Sequence, residues 1–184
     1  ISSSITSISD YAFKRNLKLT GVVIPDSVTI MGAGVFQGCS KLSNAVISGN
    51  ITNIDTHSFS ATNLTNVIIP DSVKIIGNYA FQNCSTISIS IGNGVSEIGS
   101  RAFDGCNGTL AINSKVIETN SAINDYENPN YWLYNSTFST ITIGETISKI
   151  GNNVFRDFES IQSVHISDSV KIIGDGAFAG CKNL

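Results

Sequence analysis

The chain has 184 residues, a formal net charge of −3 and 14% charged side chains, where soluble domains usually carry about 25%. A pI near 5.2 excludes a broad basic surface of the kind that holds nucleic acid or an anionic membrane. No apolar run approaches the roughly 20 residues that span a bilayer, so no membrane insertion is expected in this segment.

In chain order, the first element is a degenerate coil around Phe13. Pro25 to Cys39 then reads PDSVTIMGAGVFQGC, Pro70 to Cys84 reads PDSVKIIGNYAFQNC, Gly92 to Cys106 reads GNGVSEIGSRAFDGC and Ser167 to Cys181 reads SDSVKIIGDGAFAGC. One Phe marks each copy, at positions 13, 36, 59, 81, 103, 155 and 178, in steps of 23, 23, 22, 22, 52 and 23. A fixed period of this length is the signature of a solenoid. The expectation is one array over residues 1–184, about eight coils of 22–23 residues, cut from a longer array because neither end carries a polar-faced capping repeat.

Each copy opens on a β-branched run: Val22-Val23-Ile24, Ala45-Val46-Ile47, Val67-Ile68-Ile69, Ile89-Ser90-Ile91, Ile141-Thr142-Ile143 and Val164-His165-Ile166. Such runs, bounded by turn residues, predict short strands. Joined by roughly twenty residues each, they must pair in parallel, since a hairpin needs only a few. A turn follows, with Pro25-Asp26 or Pro70-Asp71 supplying a fixed φ and an Asp that bonds its own backbone. A second extended piece such as Val73-Lys74-Ile75-Ile76 ends at Gly32, Gly77, Gly99, Gly151 or Gly174, which implies a positive φ or a close backbone approach. The Ala-Phe pair after it predicts a single helical turn with Phe driven inward. The fold class expected is therefore a repeat solenoid. It is β-dominated, with one parallel concave sheet and short helical turns and second short strands on the convex side.

Cys39, Cys84, Cys106 and Cys181 each stand three residues after a marker Phe, in a slot that elsewhere holds Asn16, Thr62 or Phe158. Coils stack at about 4.8 Å, so only Cys84 and Cys106 lie on adjacent coils, with parallel Cβ vectors. A ladder of small buried thiols is expected rather than disulfides.

Between Phe103 and Phe155 the period breaks. Residues 113–139 form a non-consensus stretch without the G-x-x-A-F turn, and carry Tyr126, Tyr131, Trp132 and Tyr134. Loops leaving a rigid scaffold are frequent binding elements, and Tyr and Trp are favoured hot-spot residues. The alternative is that Trp132 and Leu133 plug the gap left by the missing Phe.

The pattern I-P-x-S-V-x-x-I-G-x-x-A-F-x-x-C-x-x-L, found at Ile69 to Ile87 with Ile in the last place, resembles the BspA-type (Treponema-type) leucine-rich repeat family over nearly the whole chain. That resemblance implies a leucine-rich-repeat-like right-handed superhelix, and a surface or secreted protein of a host-associated bacterium or protozoan, regarded as an adhesin for host matrix proteins or cells. The motif residues are structural, so no binding residue is carried over with them.

The residue between the two inward positions of each strand faces outward, giving a row Val23, Val46, Ile68, Ser90, Thr142 and His165. This row, with Tyr126, Tyr131, Trp132 and Tyr134, is the expected ligand surface for an extracellular protein partner. Glu145 and Asp168, one coil apart on exposed turns, raise the alternative of a polysaccharide-active enzyme. Recurrence of the slot as ordinary turn chemistry argues against it. His57 and His165 have no Cys or carboxylate at ligand spacing, and no phosphate loop or Ser-His-Asp order appears; no metal, cofactor or catalytic residue is expected. The reading is a monomeric, non-enzymatic binding module of a cell-surface or secreted protein, with a structural spacer that projects another domain as the alternative.

Overall fold

The computed structural model describes residues 1–118 and 132–184. The chain winds as a β-solenoid whose coils have three sides. The first is a seven-stranded, wholly parallel sheet of Gly21–Val23, Asn44–Val46, Asn66–Ile69, Thr86–Ile91, Asn107–Ile112, Thr137–Ile143 and Ser163–Ile166, stacked in chain order. The second side is made of two-residue strands: Ser7–Ile8 with Ile30–Met31, Asn53–Ile54 with Ile75–Ile76 and Glu97–Ile98, and Lys149–Ile150 with Ile172–Ile173. The third is the turn that carries the marker Phe.

The strand pattern is set by alternation. Asn66–Ile69 is exposed, buried, exposed, buried, because a strand points successive side chains to opposite faces. Its inward residues Val67 and Ile69 pair in register with Ile89 and Ile91 of the next coil, so each aliphatic lies on its own equivalent. The Phe rings do the same. Phe36, Phe59, Phe81, Phe103 and Phe155 are fully buried, and the consecutive stacked pairs from Phe13 to Phe103, and Phe155 with Phe178, have ring centroids 5.3–5.7 Å apart.

The third side is not the helical turn expected from the sequence. Among the described residues the only helix is the 3-10 turn Lys115–Ile117. Backbone φ is instead positive two residues before and two residues after the marker Phe: Tyr79 (56°) and Asn83 (57°) flank Phe81, and Gly34 (58°) and Gly38 (73°) flank Phe36. This change of hand turns the N–H groups of alternate residues along the stack, where a helix would point them along its own axis. Gly34, Phe36 and Gly38 donate to the carbonyls of Thr56, Ser58 and Ser60, all at 2.8 Å, and Tyr79, Phe81 and Asn83 repeat this to Ser100, Ala102 and Asp104 at 2.7–3.0 Å. The intervening N–H groups close tight turns within the coil, as Gln82 does to Tyr79 at 3.1 Å.

Two other recurring residues serve this stacking. A methyl on Gly77 would lie 2.6 Å from the Thr56 nitrogen, and one on Gly99 2.6 Å from that of Asn78. These glycines answer to close approach between coils, since neither has positive φ. The Cys slot is a cap. The thiols of Cys39, Cys84, Cys106 and Cys181 donate to the carbonyls of Phe13, Phe59, Phe81 and Phe155 in the preceding coil at 3.0–3.2 Å. All four cysteines are free. Contact with the Cys84 thiol, and then burial, pushes the Cys106 thiol well above its ordinary value, and burial also raises Cys39 and Cys181.

The period break resolves into one long coil. Phe103 donates to the Trp132 carbonyl at 3.1 Å, Asn135 has a φ of 54°, and Ser136 hydroxyl and N–H both reach the Leu133 carbonyl at 2.7 and 3.0 Å. Leu133 therefore stands in the Phe slot and Ser136 in the Cys slot. The smaller Leu is compensated by Trp132 (2% exposed) and Phe138, whose rings meet Phe103 edge-on at 5.8 and 6.3 Å. Gly108 pairs with Phe138 in the slot where other coils place Leu42, Leu64 or Ile87, which makes room for that ring.

Two stability outcomes follow from the stacking. Phe81→Ala empties the middle of the ring column and is expected to cost about 3–5 kcal/mol in urea unfolding. Ala61 is exposed with a φ of 54°, in a column that elsewhere holds Gly38 and Gly105. Ala61→Gly relieves roughly 1–2 kcal/mol of left-handed strain against about 0.5–1 kcal/mol of chain entropy. It should raise stability by several tenths of a kcal/mol, and an unchanged or lower midpoint would contradict the backbone geometry.

Candidate functional site

The outward residues of the long sheet are brought into one line by register. Val23 pairs with Val46, Ile68 with Ser90, Ser90 with Ala111, Ala111 with Thr142 and Thr142 with His165. Ala111 completes the row and was not among the residues singled out from the sequence. Its run, Thr109 to Ile112, has the strand alternation but falls where the Phe period fails. Val23, Val46 and Ile68 are 57%, 50% and 67% exposed, while Ser90 is half-buried and Thr142 and His165 are exposed. A parallel row of Gly21, Asn44, Asn66, Ser88, Thr109, Thr140 and Ser163 runs beside it. Hydroxyls bond along that row, Thr109 to Ser88 at 2.9 Å and Ser163 to Thr140 at 3.1 Å. None of the seven strands contains Asp, Glu, Lys or Arg. A shallow depression of about 290 Å³ opens between two coils here, lined by Asn44, Val46, Gly49, Asn66, Ile68 and Pro70 among others.

Of the aromatic residues singled out in 113–139, the two described ones, Trp132 and Tyr134, do not join that surface. Trp132 is in the core, because its backbone occupies the slot just before the Phe position, as Ala80 does, and the adjacent Leu leaves room for the indole. It is corrected from a contact residue to a packing residue. Tyr134 is half-buried on the third side, with the Arg101 guanidinium 4.3 Å above its ring centroid. Tyr126 and Tyr131 lie outside the described residues. Glu118 and Trp132, the described residues on either side of 119–131, stand at the corner between the second and third sides. Four residues lie between Ile76 and Phe81, and between their equivalents in the other coils, whereas fifteen lie between their counterparts Ile117 and Leu133.

The described residues flanking 119–131 are tied down on both sides. Ser114 caps Lys115–Ile117 by accepting from the Val116 N–H at 3.1 Å, and Gly151 N–H donates to the Ile117 carbonyl at 2.8 Å. The Glu118 carboxylate accepts from the N–H and the hydroxyl of Ser148 at 2.7 and 2.9 Å. Partial burial works against its charge, but these bonds and Lys115 outweigh it and hold Glu118 below its ordinary value. On the C-terminal flank, the Asp104 carboxylate accepts from Gln82 at 3.0 Å and from Asn135 at 3.2 Å.

Glu145 and Asp168 stand exposed on their turns, lining an open depression with Ile166, Ser167 and Ser169. Among the described residues no group of three or more His, Cys, Asp or Glu is placed to hold a metal ion. No helix among them is long and apolar enough to cross a membrane.

The model of the BspA type leucine rich repeat region matches residues 1–88 and 126–184 in six copies. The chain belongs to that family of repeat proteins. Among solved structures it is similar to the leucine-rich repeat protein TpLRR of T. pallidum, at 21% identity and a TM-score of 0.59, over 98% of this chain and 72% of that one. It also matches a leucine-rich cell surface protein of Faecalibacterium prausnitzii (21% identity, TM-score 0.41, 97% of this chain and 62% of that one). A third match is the pneumococcal vaccine antigen PcpA (15% identity, TM-score 0.46, 92% and 59%). The chain thus spans less than two thirds of the last two. No curated protein matches it. The likeness to TpLRR agrees with the coil-by-coil solenoid described above.

The Glu118 anchor predicts a pH dependence. A carboxyl held below its ordinary value adds stability above the unfolded-state pKa, which is lost as pH falls through the folded one. Glu118→Gln should therefore lower the thermal midpoint at neutral pH and leave it nearly unchanged near pH 3. An equal deficit at both would mean that the charge plays no part.

Proposed function

We propose that this chain is a protein-binding module of a surface-displayed or secreted adhesin, with the long sheet as a contact face and no catalytic role. The observation that carries the proposal is the row Val23, Val46 and Ile68, half or more exposed on a sheet side without a charged side chain. Exposed contiguous aliphatics are unusual on a monomer unless something covers them. Val46 and Ile68 line a depression together with Asn44 and Asn66, a mixture of apolar and hydrogen-bonding groups suited to a protein partner. Extracellular or host matrix protein is the ligand class, in keeping with the adhesin character that the family resemblance implies. Surface display is supported by that family membership. The row continues through Ser90, Thr142 and His165, so the N-terminal half of the sheet supplies apolar contact and the C-terminal half hydrogen-bonding groups.

Ile68→Asp tests this. The side chain is two-thirds exposed, so the change should alter stability by no more than about 0.5 kcal/mol. Retention on immobilised extracellular-matrix proteins, measured by biolayer interferometry, should fall at least tenfold, about 1.4 kcal/mol. Full retention by Ile68→Asp and by Val46→Asp would remove the sheet as a binding face and leave the array as a spacer.

A further inference from the structure

The third side of the coil has a composition opposite to that of the long sheet. All three arginines of the chain, Arg15, Arg101 and Arg156, project from the Phe turns, as do Tyr11, Tyr79 and Tyr134, every tyrosine among the described residues. Tyr, Arg and Trp dominate interface hot spots, and here they are segregated to one side.

The backbone makes their placement pointed. Tyr11, His57, Tyr79 and Arg101 share the position two residues before the marker Phe and have φ of 57°, 57°, 56° and 53°. Glycine fills this slot in two other coils, as Gly34 and Gly176, since it alone takes that conformation without strain. Four bulky side chains stand there despite the strain. They stand in one row along the stack, interrupted by Gly34 between Tyr11 and His57: the His57 and Tyr79 rings stack at 4.9 Å, Arg101 covers Tyr134 at 4.3 Å, and Lys14 covers Tyr11 at 4.6 Å.

Charge gives the row a polarity. Lys14, Arg15, Lys18 and Lys41 are all exposed and belong to two consecutive coils. Neither ion pair found among the described residues, Arg156–Asp157 and Lys182–Glu159, involves them. Of the nearby acids, Asp10 is bound to the Ala33 N–H, Asp55 to that of Thr56, and Asp104 to Gln82 and Asn135. These carboxylates keep their charge, but Lys14, Arg15, Lys18, Lys41 and Arg101 outnumber them, so a chain of net charge −3 carries a locally cationic, tyrosine-lined strip.

We infer that the Phe-turn side is a second interaction surface, distinct from the long sheet, and that it takes an acidic protein segment. Carboxylates of the partner meet Lys14, Arg15 and Arg101, while its apolar groups lie against Tyr11, Tyr79 and Tyr134. Such a surface acts through charge steering and planar cation contacts, so its binding weakens with salt, whereas that of the uncharged sheet does not.

The test uses a fluorescent poly-L-glutamate peptide, with poly-L-lysine and heparin as controls, read by anisotropy on the whole chain. Saturable binding of polyglutamate is expected at about 0.05 M salt, and it should weaken severalfold near 0.3 M. Lys14→Ala with Arg15→Ala should reduce affinity at least about tenfold. Tyr79→Gly with Arg101→Gly should do likewise, and these changes suit the left-handed backbone, so the fold is kept. Ile68→Asp should leave polyglutamate binding intact. Absence of polyglutamate binding, indifference to either pair of substitutions, equal binding of polylysine, or preferential binding of heparin would each overturn the inference. Matrix retention by the same variants reads the sheet separately, so the two faces fail or stand independently.

Discussion

The constraint on which this structure depends is the rise from one coil to the next, set by backbone hydrogen bonds on every side. On the long sheet these are parallel ladders, which fix strand spacing at about 4.8 Å. On the third side, three N–H groups of each consensus turn reach the carbonyls of the next coil at hydrogen-bond distance. Equivalent side chains are then held close to van der Waals contact, and Phe rings must stack at 5.3–5.7 Å between centroids. A single coil has nowhere to bury its Phe, so no coil is stable without its neighbours.

The recurring residues serve that spacing. Glycine before the Phe turn keeps adjacent backbones from colliding, and the thiol covers the carbonyl of the Phe one coil back. Thr62 shows why the slot tolerates substitution, because its hydroxyl reaches the Phe59 carbonyl of its own coil at 2.8 Å while Cys84 approaches from the next. The third-side bonds also share one direction. Each N–H points toward the following coil, so these peptide dipoles add along the axis, whereas strand dipoles alternate and largely cancel.

The irregular coil shows how far the stack can bend its own rules. Leu133 replaces Phe, and Trp132, Phe138 and Gly108 redistribute the volume across two coils. Ser139 is taken up as a bulge, since Gly108 pairs with Phe138 and Thr109 already with Thr140. The long sheet passes through the irregularity unbroken, since Asn107–Ile112 pairs directly with Thr137–Ile143. Surface chemistry then divides by side. One side is uncharged and aliphatic, and another carries the arginines and the described tyrosines.

Periodicity alone was enough to establish the solenoid, the parallel sheet, the inward columns and the outward row Val23, Val46 and Ile68. Identical offsets within each copy state which residues must pile on one another, and alternation states which face inward. Two things were beyond its reach. The hand of the Phe turn rests on φ values that Tyr79, His57 and Arg101 do not advertise, since left-handed backbone in such residues is imposed by hydrogen bonds to the next coil. The role of Leu133, with neither Phe nor Gly to mark it, emerges only when Trp132 and Phe138 are seen to fill the same space. The aromatic residues of 113–139 looked from the sequence like part of one surface with the sheet. Only the path of the chain around three sides decides that Trp132 lies in the core and that Tyr134 shares a side with Arg101 rather than with Ile68.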